Sequence, residues 1–237
     1  MTQELTILIV TAASIGFFHT LIGPDHYVPF IVIAKARKWS LMKTMWITFL
    51  CGIGHIGSSV ILGMAGIALG VAVTKLEIVE SFRGDLAAWA LIAFGLVYFV
   101  WGLRRALRNK PHKHVHFHTD GDKHVHEHIH VEDHTHIHHV ENNTNITPWV
   151  LFTIFVFGPC EPLIPILMYP AAKNSIFGLL AVTFVFGGIT IMTMLGVVGV
   201  SYMGINFLPF KGLEKYSHAL AGATIFLCGI SIQFLGL

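Results

Sequence analysis

Charge is what this sequence is short of. Only 12% of its 237 residues are Asp, Glu, Lys or Arg, against about 25% in an ordinary soluble domain, which argues against a water-facing globule. Cysteine is scarce as well: Cys51, Cys160 and Cys228 each lie in an apolar run, and they make no disulfide framework. The net charge of +2 comes without a basic stripe interleaved with aromatics, so no nucleic-acid partner is expected. No glycine-rich Walker sequence for phosphate is present, so the chain by itself is not expected to hydrolyse ATP. Neither an enzymatic activity nor a tightly bound cofactor is expected.

Apolar residues make up 54% of the chain, and 23 glycines are spread among them, a composition that suits closely packed membrane helices. A crossing needs about 20 apolar residues. Apolar runs at 4–34, 44–73, 84–104, 148–172, 175–203 and 214–236 therefore read as six candidate spans. The first has no basic segment before it and is expected to be retained, not cleaved as a signal peptide. Lys and Arg gather in cytoplasmic loops, and twelve of the fifteen basic residues fall in alternate loops: 35–43, 104–123 and 211–215. Both termini are accordingly expected outside the cell (inner) membrane, with the long loop in the cytoplasm.

Sliding the sequence against itself by 135 residues aligns Gly23-Pro24 with Gly158-Pro159 and Thr48-Phe49 with Thr183-Phe184. Residues 31, 36, 38, 40, 52 and 56 match their counterparts too, giving ten identities without a gap. A repeat of three spans enters the bilayer from opposite sides in its two copies, the inverted-repeat plan of many secondary transporters. The expected fold is therefore all-α and polytopic: six transmembrane helices in two inverted three-helix repeats, each with a broken first helix. Residues 1–110 form the first repeat, 111–147 a His-rich cytoplasmic loop, and 148–237 the second repeat.

Ionisable residues inside a membrane are costly and mark pathways or sites. Outside the loop only four of the sixteen histidines remain, His19, His26, His55 and His218, and His218 is expected at the interface. Asp25 and Glu161 are the only carboxylates well inside the expected spans, each beside a Gly-Pro break. Pro24 lacks an amide hydrogen and disfavours helix at Gly23, so carbonyls are freed there. Imidazole with carboxylate suits nickel, cobalt, zinc or copper. The candidate metal residues are thus His19, Asp25, His26, His55 and Glu161. Cys160 and Thr190, which align with Asp25 and His55, are secondary candidates.

His19 with Asp25-His26 resembles the His-spacer-Asp-His signature of the nickel/cobalt transporter family, and Gly54-His55 with Ser58-Ser59 resembles its Gly-His-Ser/Thr segment. The spacer here has five residues, Thr20 to Pro24, where the signature has four. In continuous helix one added residue turns the chain through about 100°, so whether His19 joins Asp25 and His26 depends on the backbone at Pro24. Six spans with a His-rich loop look more like the exporter and UreH-like branches than the eight-span uptake permeases. The resemblance implies Ni2+ or Co2+ as transported substrate, with Zn2+ a further candidate and efflux slightly favoured. The expected partners are the ion and the bilayer, with a homo-oligomer or a separate energising subunit left open.

The loop carries His112, His114, His116, His118, His124, His126, His128, His130, His134, His136, His138 and His139, nearly all at every second position. Such density suits labile metal binding, for buffering or sensing rather than selection. In an extended chain alternate histidines share a face, and Asp120-Gly121 could turn between blocks. Two other functions compete. A CcdA-like thiol redox conductor needs paired cysteines, and Asp25 stands where the first repeat would need one. An anion or sulfite exporter would favour Arg or Lys in its interior, where this chain has Asp25 and Glu161.

Overall fold

The computed structural model describes residues 3–108, 112–117, 123–128, 146–173, 175–207 and 214–236. The helices are α1 (Gln3–Ile22), α2 (Val28–Ala36), α3 (Leu41–Ala68), α4 (Val73–Arg108), α5 (Thr147–Phe157), α6 (Leu163–Ala172), α7 (Ile176–Phe207) and α8 (Ser217–Leu235). Short 3-10 turns cover Pro24–His26 and Glu214–Tyr216. In the loop, β1 (His112–Phe117) pairs antiparallel with β2 (Lys123–His128), so among the described residues the fold is helical apart from this hairpin. Five helices, α1, α3, α4, α7 and α8, are long and apolar enough to cross a membrane. Their outward faces carry large apolar side chains such as Trp46, Phe82, Val97, Phe184 and Leu227, the surface a bilayer would cover.

The first expected span, 4–34, is interrupted where Pro24 removes an amide donor: α1 stops at Ile22 and α2 resumes at Val28. The fourth, 148–172, is likewise divided between α5 and α6. The third differs from expectation. Charges at 75–83 read as a loop, yet α4 begins at Val73 and carries Lys75, Glu77, Glu80 and Arg83 within the helix. One turn of helix brings Arg83 Nη1 within 2.6 Å of Glu80 Oε1, and this pairing lets a fully buried carboxylate persist.

Helices α4 and α8 run antiparallel in the closest helix contact of the fold. Glycines recur every seven residues on both, Gly95 and Gly102 facing Gly222 and Gly229. A Cβ at Gly95 would meet the Phe226 backbone, one at Gly102 that of Ala219, and one at Gly222 that of Phe99. Such approach maximises dispersion contact where lipid offers no hydrophobic drive between helices. Helices α3 and α7 pack together at the centre, α1 lies on α7, and α5 lies on α3.

The core falls into two apolar clusters. One gathers Phe30, Ile33, Ile47, Cys51, Leu151, Met194 and Ile225; the other gathers Ala12, Ile56, Cys160, Leu163, Val182 and Phe186. Along α3 the passage from one to the other is at His55, and along α7 it is at Thr190, both buried. A polar layer therefore lies between two apolar ones.

The glycine contact generates a direct expectation. Gly222→Ala forces a methyl against backbone, which cannot move as a side chain can, and should destabilise the protein by about 1–3 kcal/mol. Gly196→Ala, with open space at its Cβ position, should leave thermal unfolding in detergent unchanged or slightly raised. Equal melting temperatures for the two variants would contradict the packing account.

Candidate metal centre

At the first break the backbone is repaired from within. Gly23 N–H still closes the last turn of α1 on the His19 carbonyl (3.0 Å), and the Gly23 carbonyl accepts the His26 amide (3.2 Å). His26 Nδ1 lies 3.1 Å from the same carbonyl and 3.0 Å from Asp25 Oδ1. Both neighbours are acceptors, so the proton belongs on Nδ1 and the lone pair on Nε2. A Cβ at position 23 would stand 2.7 Å from His26 Nδ1 and 2.9 Å from Asp25 Oδ1, so a larger residue there would displace the ring or the carboxylate.

His55, from the middle of α3, faces the second break. A Cβ at Gly158 would come within 3.1 Å of the His55 Nδ1. Gly23 and Gly158, aligned in the internal repeat, therefore each make room for one imidazole of the site. The His19 and His26 ring centroids are 4.9 Å apart, and those of His26 and His55 are 5.0 Å apart. One ligand nitrogen from each of the three lies within 4.8 Å of the other two.

The Nε2 atoms of His19, His26 and His55 are all buried without a hydrogen-bond partner. Buried polar atoms are normally paired, and a cation is one partner that three neighbouring imidazoles can share. Metal–imidazole bonds are about 2.0–2.1 Å, which sets ligand nitrogens about 3.4 Å apart, so holding an ion requires the three rings to draw together from separations of up to 4.8 Å. Asp25 is behind the ligand ring, holding Nδ1 as a carboxylate does in carboxylate–histidine–metal arrangements. The cluster could hold a divalent transition metal.

The second break is repaired from other helices. Arg83 Nη2 donates to the Val156 carbonyl (2.9 Å) and to Ser58 Oγ (2.7 Å), with the Gly158 carbonyl at 3.5 Å. Ser58 Oγ in turn donates to the His55 carbonyl (2.8 Å), and Ser59 Oγ accepts the Cys160 amide (3.1 Å). The Ser58-Ser59 pair after His55 thus ties α3 and α4 to the second break. Glu80 and Arg83 escaped the sequence reading because their distance from the apolar centre of α4 made them look like loop charges. The available signal was their three-residue spacing.

A cavity of about 440 Å3 leads to the cluster. Its wall carries His19, Asp25, His26, Asp85, Glu161 and Gln233, and no Lys or Arg among the described residues. Glu161 is exposed on this wall and outside the three-nitrogen group. Cys160 is fully buried in an apolar cluster, and Thr190 Oγ1 is buried and unpartnered, facing Gly16 of α1. His218 is far from this cavity, with Nδ1 2.8 Å from Tyr98 Oη.

In the loop, the strand register sets His112 opposite His128, His114 opposite His126 and His116 opposite His124. Every histidine of β1 is thereby matched to one of β2. The expected turn at Asp120-Gly121 lies outside the described residues, as do His118, His130, His134, His136, His138 and His139.

No protein-family model, curated protein or solved structure matches the chain.

Two measurements probe the geometry. With residues 112–139 deleted to remove the loop ligands, Asp25→Asn should weaken Ni2+ or Co2+ binding by about 10–100-fold by loosening the His26 ring, and His26→Ala should abolish it in titration calorimetry. Wild-type affinity in His26→Ala would remove the centre. Separately, Arg83→Met leaves the Glu80 carboxylate buried and unpaired and should cost about 3–5 kcal/mol of stability. Adding Glu80→Gln should recover much of that loss in thermal unfolding.

Proposed function

We propose that this chain is a transmembrane transporter of divalent transition-metal ions, with nickel or cobalt first and zinc next. The observation that carries the proposal is the convergence of three imidazole nitrogens within 4.8 Å, each ring with an unpartnered Nε2, at a helix break. Imidazole is the ligand such ions prefer. The likeness of His19, Asp25, His26, Gly54 and His55 to the nickel/cobalt transporter signature points to the same cargo.

The helix contacts support two inverted repeats. Exchanging α1 with α5, α2 with α6, α3 with α7 and α4 with α8 turns the α1–α7 contact into α5–α3, and the α2–α8 contact into α6–α4, all of which occur. The α3–α7 and α4–α8 contacts map onto themselves. In this reading α1 with α2, and α5 with α6, form two broken crossings beside four continuous ones, and the ion site lies at the repeat interface. The acidic cavity, lined by Asp25, Asp85 and Glu161, attracts cations to the cluster and is bordered by Gln233 and Gly236 at the end of α8. Basic residues at the opposite ends of the helices support a reading with that cavity facing outside the cell and the loop in the cytoplasm. Efflux is the direction we favour, with the histidine hairpin as a cytoplasmic reservoir.

No observation favours the competing functions. Cys51 and Cys160 are free and belong to separate apolar clusters, whereas a dithiol conductor needs them paired. The acidic cavity wall has the wrong sign for sulfite. In metal-transporter-deficient cells, the wild type should change nickel or cobalt retention and tolerance, while His26→Ala should behave as an empty vector at equal expression. Deletion of 112–139 should alter the concentration at which transport responds without abolishing it. Identical metal content in wild-type and His26→Ala cells would sink the proposal.

A further inference from the structure

At the end of the molecule opposite the acidic cavity, a second cavity of about 520 Å3 lies where α2 ends, α3 begins, α4 ends and α8 begins. Its wall carries Arg37, Lys38, Lys43, Arg105 and His218 and no carboxylate among the described residues. Aromatic faces hold two of these cations: Lys43 Nζ is 5.3 Å from the Trp39 ring centroid and Arg105 Cζ is 5.5 Å from that of Trp101. Arg37 Nε donates to Tyr98 Oη, which also bonds His218.

Two observations separate this cavity from a merely basic surface. Trp39 lines it, is 5% exposed, and its indole N–H is buried without an acceptor. An indole is donor-only, so the missing partner is an acceptor. Lys38 occupies a left-handed backbone position, φ 51°. It closes a Schellman turn in which Trp39 N–H bonds the Ala34 carbonyl (2.9 Å) and Lys38 N–H bonds the Lys35 carbonyl (3.3 Å). Glycine is the ordinary residue there. A lysine accepts backbone strain at that point and contributes an ammonium to the cavity wall. Ser40 then caps α3, its Oγ accepting the Lys43 amide, and the amide-rich start of α3 favours an anion at the same place.

We propose that this cavity binds a phosphate-bearing anion, with Lys38, Lys43 and Arg105 supplying charge and Trp39 the buried hydrogen-bond donor. The bound group ties α2 and α3 to α4 and α8. The chemistry is that of a phosphate, whether in the headgroup of an anionic phospholipid or free in solution. The inference is independent of the cargo of the imidazole centre.

Thermal unfolding of the purified full chain in neutral detergent tests it, with inorganic phosphate, phosphatidylglycerol and phosphatidylcholine as separate additives. A saturable rise in melting temperature is expected with phosphate or phosphatidylglycerol and not with phosphatidylcholine. Response to phosphatidylglycerol alone identifies a lipid, and response to inorganic phosphate a free anion. Lys38→Gly should raise the melting temperature without additive, by relieving the left-handed position, yet weaken half-saturation about tenfold, the equivalent of one charge-assisted contact. Trp39→Phe should weaken half-saturation without removing charge. Arg104→Gln/Arg108→Gln removes two cations at the same end that do not line the cavity, and should leave half-saturation unchanged. The proposal is overturned if neither phosphate nor phosphatidylglycerol gives a saturable rise, if Lys38→Gly responds as wild type, or if the Arg104/Arg108 variant loses as much as Lys38→Gly.

Discussion

Interrupting a helix in an apolar environment frees backbone groups that no water can satisfy, and this constraint organises the molecule. Both breaks follow a Gly-Pro pair, and at both the freed groups are taken up by side chains that also build the site. His26 Nδ1 takes the Gly23 carbonyl. Arg83 takes the Val156 carbonyl and Ser59 takes the Cys160 amide. Because repair of the first break uses the Nδ1 side of the His26 ring, its Nε2 is left buried without a protein partner.

The two breaks solve the same problem differently. The first is closed by its own residues, within eight positions of chain. The second is held by α3 and α4, through Ser58, Ser59 and Arg83. Arg83 can do this because Glu80 balances its charge one turn away, and Glu80 can remain buried because Arg83 is there. Neither residue is tenable alone.

Packing keeps the polar layer in place. Apolar clusters lie on both sides of His55 and Thr190, and the glycine-mediated contact of α4 with α8 holds the wall of the acidic cavity close to α2. The two cavities have opposite charge: carboxylates line the one at the imidazoles, and ammonium and guanidinium groups the one at the far ends of the helices. This polarity follows from where Lys and Arg are allowed to accumulate along the chain.

Much was legible in the sequence because it depends on chemistry local to a few residues. Apolar runs announced the long helices, Pro24 and Pro159 announced the breaks, and scarce intramembrane His and Asp announced the cluster. The repeat offset even paired Gly23 with Gly158, the two glycines that make room for imidazoles. Tertiary structure decided the rest. Whether His19 turned toward His26 depended on a 3-10 turn at Pro24–His26, whose geometry no helical wheel predicts. Glu161 was expected among the ligands, but the turn before α6 leaves it on the cavity wall. Glu80 and Arg83 resembled loop charges until α4 was seen to begin at Val73. Sequence alone determined which residues were too costly to bury without a reason; only the packing of distant helices supplied the partners, because carbonyl positions at a break are a property of the folded backbone.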